Sequence, residues 1–302
     1  MNFNFLPNEI INLESKIILK KNSDIHFRNL SILDKNNKFI ISDLILNKNF
    51  LFKDFKSVEI KTQIDNEINN DFRIINKKKQ INFIGNVFDA KNIVKEINKD
   101  NKNNILETFN KDIEIDFKKI IKGVQFPIKN FRLIGQLKKG NFEKVSAKSD
   151  FSTNEHLDIS LKNIENNKKY LEIYSDIADP LLSDFNFFEG LDGGNLLFIS
   201  TFDKNSSDNV LTINNFKLNN APTLAKLLSL ADLKGLTDTL KGEGISFETL
   251  SIKYQSDNST MQIKEIFMIG PSISVLIDGY VEKNSGLVSL RGTMVPAKAL
   301  NT

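Results

Sequence analysis

The sequence predicts a mainly β protein built as a long antiparallel meander. Segments in which apolar and polar residues alternate recur along the 302 residues, and clusters of Asn, Asp, Gly and Lys separate them. Successive side chains of a strand point to opposite faces, so this alternation indicates a sheet with one buried face. Most strands have no helix-length pattern between them, which favours antiparallel hairpins over a parallel α/β sheet.

The predicted strands share a period of two along the chain. They cover residues 15–19, 40–46, 58–64, 113–117, 131–137 and 157–161. The predicted turns are rich in the residues that tight turns require, and they cover 34–38, 76–79, 138–141, 165–169, 203–209 and 256–259.

Two segments have a helical period instead. Asp89 is predicted to cap a short helix that places Ile93, Val94 and Ile97 on one face. A second helical segment, between Ala221 and Gly242, carries an apolar stripe formed by Leu224, Leu227, Leu228, Ala231 and Leu240. Such an amphipathic stripe either packs into the core, which is the commoner role, or binds lipid or a partner helix.

The predicted domain organisation is two β-units, residues 1–185 and 186–302, continuous through one sheet. Lysine-rich segments are replaced after about residue 185 by segments with glycines in their turns. The first twenty residues lack the basic and apolar regions of a signal peptide, and no apolar run approaches the ~20 residues of a membrane-spanning helix. The chain ends without a polar tail, so we expect it to be a fragment of a longer polypeptide.

Composition excludes several kinds of chemistry. With 0 Cys and 2 His, the chain has no thiol nucleophile, no disulfide and no thiolate zinc site. A net charge of +3 provides no uniform field that would attract nucleic acid. Glu114 and Asp116 share a strand face, as an acid–base pair would, but a solvated face explains their spacing equally simply. We therefore predict no catalytic residue, no metal site and no cofactor.

A set of motifs near the C-terminus resembles a known family. The motifs begin at Gly193, Phe216, Gly235, Gly270 and Gly292, and read GGNLLFI, FKLNNAPTLAKLLSLA, GLTDTLKGEGISF, GPSI and GTMVPAKALN. In this order they resemble the C-terminal region of AsmA-like proteins of the YhdP-like branch. Weaker matches occur at 83–93 and 174–182, and the strong resemblance covers about a third of the chain.

The resemblance implies a non-enzymatic protein of the Gram-negative cell envelope. Such proteins have an inner-membrane anchor, here expected outside this chain, and extend into the periplasm. Their long curved sheet forms an apolar groove for phospholipid acyl chains moving toward the outer membrane. The groove candidates are the alternating residues Leu44, Leu46, Ile113, Ile115, Phe117, Leu197, Ile199, Ile273, Val275 and Ile277. Ile41 and Leu44 exclude each other in an unbroken strand, because they differ by an odd number of residues.

An alternative function remains open. The same resemblance allows a periplasmic scaffold or assembly factor for outer-membrane biogenesis, which would bind envelope proteins through its sheet edges or its aliphatic helix. A glycosidase-like enzyme is a more distant possibility, because no pair of carboxylates stands out from the charged turns.

Overall fold

A computed structural model describes residues 12–19, 23–91, 110–121, 127–182, 190–219, 225–226 and 243–296. These residues contain eighteen strands and few helical residues. The predicted fold class, a mainly β protein, is confirmed. The chain divides into two compact units, residues 1–151 and 152–302.

The strands of unit 1 follow one another in chain order. They are β1 (Asn12–Ile18), β2 (Ile25–Leu33), β3 (Lys38–Leu46), β4 (Phe52–Asp54), β5 (Ser57–Ile64), β6 (Glu67–Asn76), β7 (Gln80–Asp89), β8 (Lys111–Ile121), β9 (Ile128–Lys138) and β10 (Asn141–Asp150). Each strand pairs with the next, except that β4 is short and pairs with the end of β3, so that β3 also pairs directly with β5.

Unit 1 departs from the predicted antiparallel meander at one described strand pair. β7 and β8 are parallel, with Gln80 opposite Asp112 and Asp89 opposite Ile121. Parallel neighbours need a crossover of about a dozen residues or more, and the segment 90–110 provides it. The helix predicted after Asp89 falls in this segment, and Ile93, Val94 and Ile97 lie outside the described residues.

Unit 2 is antiparallel at every described strand pair. Its elements are β11 (His156–Asn163), a 3-10 turn (Glu165–Asn167), β12 (Lys169–Ser175), the short helix α1 (Asp179–Leu182), β13 (Leu191–Phe202), β14 (Ser206–Leu218), β15 (Ile245–Asp257), β16 (Thr260–Ile269), β17 (Ile273–Glu282) and β18 (Val288–Pro296).

The boundary between the units lies after Phe151, whereas the sequence placed it after residue 185. β12 and β13 flank the predicted boundary, yet they pair directly from Lys169 opposite Phe202 to Ser175 opposite Leu196. β12 is paired with β13 along its whole length, and both strands lie in the second compact unit.

Three of the described strands contain a left-handed residue other than glycine, and the alternation of their side chains changes at that residue. The residues are Asp43 in β3, Asn130 in β9 and Asn215 in β14, with φ values of 51°, 50° and 55°. In β14, the buried residues Ile213 and Phe216 flank this position three residues apart and belong to one cluster. A left-handed residue within a strand interrupts the regular alternation of side chains between the two faces, so that apolar residues three positions apart lie on one face.

The left-handed residue Asp43 removes the conflict between Ile41 and Leu44 that an unbroken strand would have. Ile41 lies opposite Leu30, and Leu44 lies opposite Phe27. Leu30 and Phe27 are both partly buried, whereas the two residues between them are exposed. Ile41 and Leu44 therefore share a face, because the strand is not an unbroken one.

Candidate functional site

Unit 2 has one apolar sheet face, which is packed into a single cluster. Cross-strand pairing aligns Leu196 with Ile213, Ile213 with Leu250, Leu250 with Met268, and Met268 with Val275. All five side chains are buried in the same cluster. Cross-strand partners point to the same face, so this row shows that the cluster extends across five neighbouring strands.

A stacked aromatic pair and a short helix complete this cluster. The rings of Phe216 and Phe247 stack with their centroids 5.3 Å apart. Leu182 of α1 and Ala178, just before it, are buried against the same cluster. The N–H of Ala178 donates a hydrogen bond of 2.8 Å to the carbonyl oxygen of Gly194, which ties this segment to β13.

The apolar face of unit 1 is divided into two smaller clusters. One contains Ile60, Phe72, Phe117 and Ile120, and the other contains Ile81, Ile113 and Leu137. The partly buried residues Ile74, Phe83 and Ile115 contact both clusters.

Aromatic rings fill the centre of the first cluster. Phe88 and Phe117 stack at 5.1 Å between ring centroids, and Phe72 meets both rings edge-on. Gly85 lies opposite Phe72, and a Cβ at residue 85 would come within 2.4 Å of the Phe72 Cβ. This close approach explains the glycine within an apolar strand.

The apolar face of unit 1 stays open to solvent over β1–β3. We call this surface the open strip, and it consists of Leu13, Ile17, Phe27, Leu30, Ile32, Phe39, Ile41, Leu44 and Leu46. Leu13 is 66% exposed and Ile17 is 51% exposed. The other members are partly exposed, so a contiguous apolar surface is accessible here.

Most predicted groove residues lie on these two apolar faces. Leu44 and Leu46 lie in the open strip, while Ile113, Ile115 and Phe117 lie over β8 in the clusters of unit 1. Ile273, Val275 and Ile277 lie on the apolar face of unit 2, where Ile273 and Val275 are fully covered.

Leu197 and Ile199 lie on the opposite face of β13. Their cross-strand neighbours on β12 are Tyr174 and Glu172, whereas the intervening Leu196 and Phe198 contact the apolar cluster. All four residues from Leu196 to Ile199 are apolar, so the sequence pattern does not indicate which of them point to which face of the sheet. The predicted helix stripe of Leu224, Leu227, Leu228, Ala231 and Leu240 lies outside the described residues.

The opposite face of unit 1, called the polar face, carries paired charges together with apolar side chains such as Ile84 and Ile134, which are 46% and 68% exposed. Glu59 accepts from Lys38 at 2.7 Å and lies 3.7 Å from Arg73. A shallow depression of about 350 Å³ surrounds this group.

The two carboxylates considered for acid–base chemistry are also held by partners on this polar face. Glu114 accepts hydrogen bonds from the side-chain amides of Gln80 and Asn82, at 2.8 and 3.0 Å. Asp116 lies 3.6 Å from Arg132. These contacts fix the two side chains within the sheet surface.

Metal-binding and membrane-spanning features were sought in the same residues. In the part of the chain that the structure describes, no group of three His, Asp or Glu side chains is placed to hold a metal ion. Among the described helices, none is long and apolar enough to cross a membrane.

Comparisons with protein-family models, with curated proteins and with solved structures found no match to this chain. The resemblance to AsmA-like proteins therefore enters below as a proposal.

Proposed function

We propose that this chain is a segment of an AsmA-like envelope protein whose apolar sheet faces shelter phospholipid acyl chains during transfer between the inner and outer membranes. The open strip is the observation that carries the proposal. A soluble sheet normally covers its apolar face with a second layer, and over β1–β3 this face remains accessible.

The dimensions of the strip suit an acyl chain. Cross-strand pairing aligns Leu13, Ile32, Phe39 and Ile60 in one row, and Ile17, Phe27 and Leu44 in another, with the row of Ser15, Leu30 and Ile41 between them. Neighbouring strands lie about 4.8 Å apart, so each of the first two rows offers a continuous apolar track across the sheet. Burying each CH₂ group of an acyl chain on such a track contributes about 0.8 kcal/mol.

Movement along the face needs no chemical step. Equivalent apolar rows follow one another, so an acyl chain exchanges one set of contacts for a similar set. The periplasmic location and the inner-membrane anchor rest on the family resemblance and belong to the same proposal.

Site-specific photo-crosslinking tests this function. Phe39 and Ile40 are adjacent, are similarly buried and lie on opposite faces, because Phe39 pairs with Ile60 and Ile40 pairs with Glu59. The crosslinker p-benzoylphenylalanine is installed at each position in turn, and adducts formed in a Gram-negative cell are identified by mass spectrometry. We expect phospholipid adducts at position 39 and few at position 40. Protein adducts alone at position 39, or equal lipid labelling at both positions, would refute the proposal.

A scaffold function is the second candidate, and exposed apolar residues on β18 favour it. Val288 is 56% exposed and Leu290 is 43% exposed. Exposed apolar strands are sites at which partner strands add to a sheet. Co-purification of a stoichiometric protein partner without lipid, lost on Val288→Lys but retained on Phe39→Lys, would support the scaffold function over lipid transfer.

A further inference from the structure

A row of polar side chains crosses the apolar face of unit 2. Cross-strand pairing places Ser200 beside Asn209, and Asn209 beside Tyr254. Ser200 and Asn209 are 5% and 6% exposed, and the ring of Tyr254 packs against the apolar cluster. Three polar groups on adjacent strands thus interrupt a surface that is otherwise apolar.

The hydrogen bonds of Ser200 and Asn209 are satisfied within the protein. The Ser200 hydroxyl donates to Asn209 Oδ1 at 2.7 Å, and Asn209 Nδ2 donates to the Ser207 hydroxyl at 2.8 Å. These bonds fix the orientation of the Asn209 amide, and they leave no donor of this pair directed at a ligand.

The Tyr254 hydroxyl differs in this respect from the side chains of Ser200 and Asn209. It has no hydrogen-bond partner among the described residues, and it is not sealed from solvent. Burial raises the pKa of this phenol, so it stays protonated and able to donate near neutral pH. A ligand oxygen that reaches this face would find an unused donor there.

The surroundings of Tyr254 define an amphipathic site. Beside the polar row runs an entirely apolar one, formed by Ile173, Phe198, Leu211, Ile252, Ile266 and Ile277. On the other side of the polar row, toward the turns that join β13 to β14 and β15 to β16, the partly exposed residues Ser207 and Ser256 lie opposite each other. Hydroxyl groups therefore border the apolar surface at this end of β14 and β15.

We propose that the Tyr254 hydroxyl donates a hydrogen bond to an ester carbonyl oxygen of a glycerolipid whose acyl chain lies on the apolar face of unit 2. This inference rests on the proposed lipid-handling function and adds a specific anchoring group to it. The donor is a neutral hydroxyl, which suits a carbonyl oxygen, whereas phosphate groups are bound chiefly by Arg and Lys.

Ester-linked and ether-linked lipids separate this anchoring from lipid binding itself. The probes are dioctanoyl phosphatidylcholine and its dialkyl ether analogue, which lacks both carbonyl oxygens, each titrated calorimetrically below its micelle concentration. We expect the wild-type chain to bind the ester lipid about fivefold more tightly, the factor that one hydrogen bond typically gives.

The test variant is Tyr254→Phe, which keeps the ring and removes the hydroxyl. The matched control is Tyr280→Phe, because Tyr280 lies opposite Gln262 on the other face of the sheet. We expect Tyr254→Phe to abolish the ester preference and Tyr280→Phe to retain it. Equal binding of the two lipids by the wild type, or an ester preference that survives Tyr254→Phe, would overturn the anchoring alone. Absence of binding to either lipid would overturn the proposed function as well.

Discussion

The two units use the same kind of sheet face in different ways. Unit 2 contains seventeen of the buried apolar side chains and unit 1 contains eleven, counted over the described residues. In unit 2 most of them form one cluster, while in unit 1 seven of them form two small clusters and leave the open strip beside them. Buried residues stabilise the fold, and accessible apolar residues are the ones available to a ligand. The comparison therefore assigns stability mainly to the face of unit 2 and ligand access mainly to the open strip of unit 1.

The largest difference in the free energy of unfolding is expected between the variants Ile213→Ala and Leu44→Ala. Ile213 is 0% exposed at the centre of unit 2, so its truncation leaves a cavity and lowers the free energy of unfolding by about 3–4 kcal/mol. Leu44 is partly exposed, and its truncation should cost about 1 kcal/mol. Equilibrium urea unfolding followed by circular dichroism measures both. Equal losses would show that the two faces are packed alike.

Phe72→Leu tests whether unit 1 depends on its aromatic cluster. The substitution removes the edge-on contacts with Phe88 and Phe117, and we expect a loss of about 1.5 kcal/mol in the same unfolding measurement. Phe142→Leu is the control, since Phe142 is 37% exposed and should tolerate the change within about 0.5 kcal/mol. A Phe142 variant as unstable as the Phe72 variant would rule out a localised core.

Asn215→Ala tests the shift of alternation in β14. Alanine in the left-handed conformation is strained, so we expect a loss of about 1 kcal/mol, whereas Asn215→Gly should be close to neutral. The corresponding comparison at Asp43 in unit 1 should have the same sign, because both residues have a positive φ. If alanine and glycine gave equal stabilities at residue 215, the change of alternation in β14 would not require a left-handed residue.

The smallest effect concerns acid stability in the hairpins of unit 2. The N–H groups of Ser259 and Thr260 donate to Asp257 Oδ1 at 2.7 and 2.8 Å, and these bonds lower the pKa of Asp257 below 3.8. A carboxyl whose pKa falls on folding stabilises the protein above its unfolded value, and this stabilisation disappears as the pH falls through the folded value. The melting temperature of Asp257→Asn should thus lie below that of the wild type at pH 7, and the difference should shrink as the pH falls through the lowered pKa of the folded carboxyl. A difference that stayed constant with pH would exclude the carboxylate as its cause.

Strands and turns were predictable because alternation and turn chemistry are local properties. The pairing direction of β7 and β8 was not. Helical patterns occur both after Asp89 and after Ala221, yet the first connection joins a parallel pair and the second joins the antiparallel strands β14 and β15. A helix-length segment permits a crossover without requiring one.

The composition of the apolar faces was only partly predictable. Leu44 and Ile273 follow from alternation, whereas Leu197 lies in a continuous apolar run whose phase is set by its pairing with β12 and β14. The position of Tyr254 beside Asn209 depends on register between strands separated by a long connection. Local sequence contains no signal for such register, and the polar row was missed for this reason.

The lipid content of purified chains tests the central claim most directly. Leu44 and Ile45 are adjacent and similarly buried, and they lie on opposite faces, opposite Phe27 and His26. Wild type, Leu44→Asp and Ile45→Asp are purified from a Gram-negative host under the same conditions, and extracted phospholipid is quantified per mole of chain. We predict that wild type and Ile45→Asp carry phospholipid and that Leu44→Asp loses most of it. A wild-type chain free of phospholipid, or equal lipid content in the two variants, would contradict the assignment of the open strip to lipid binding.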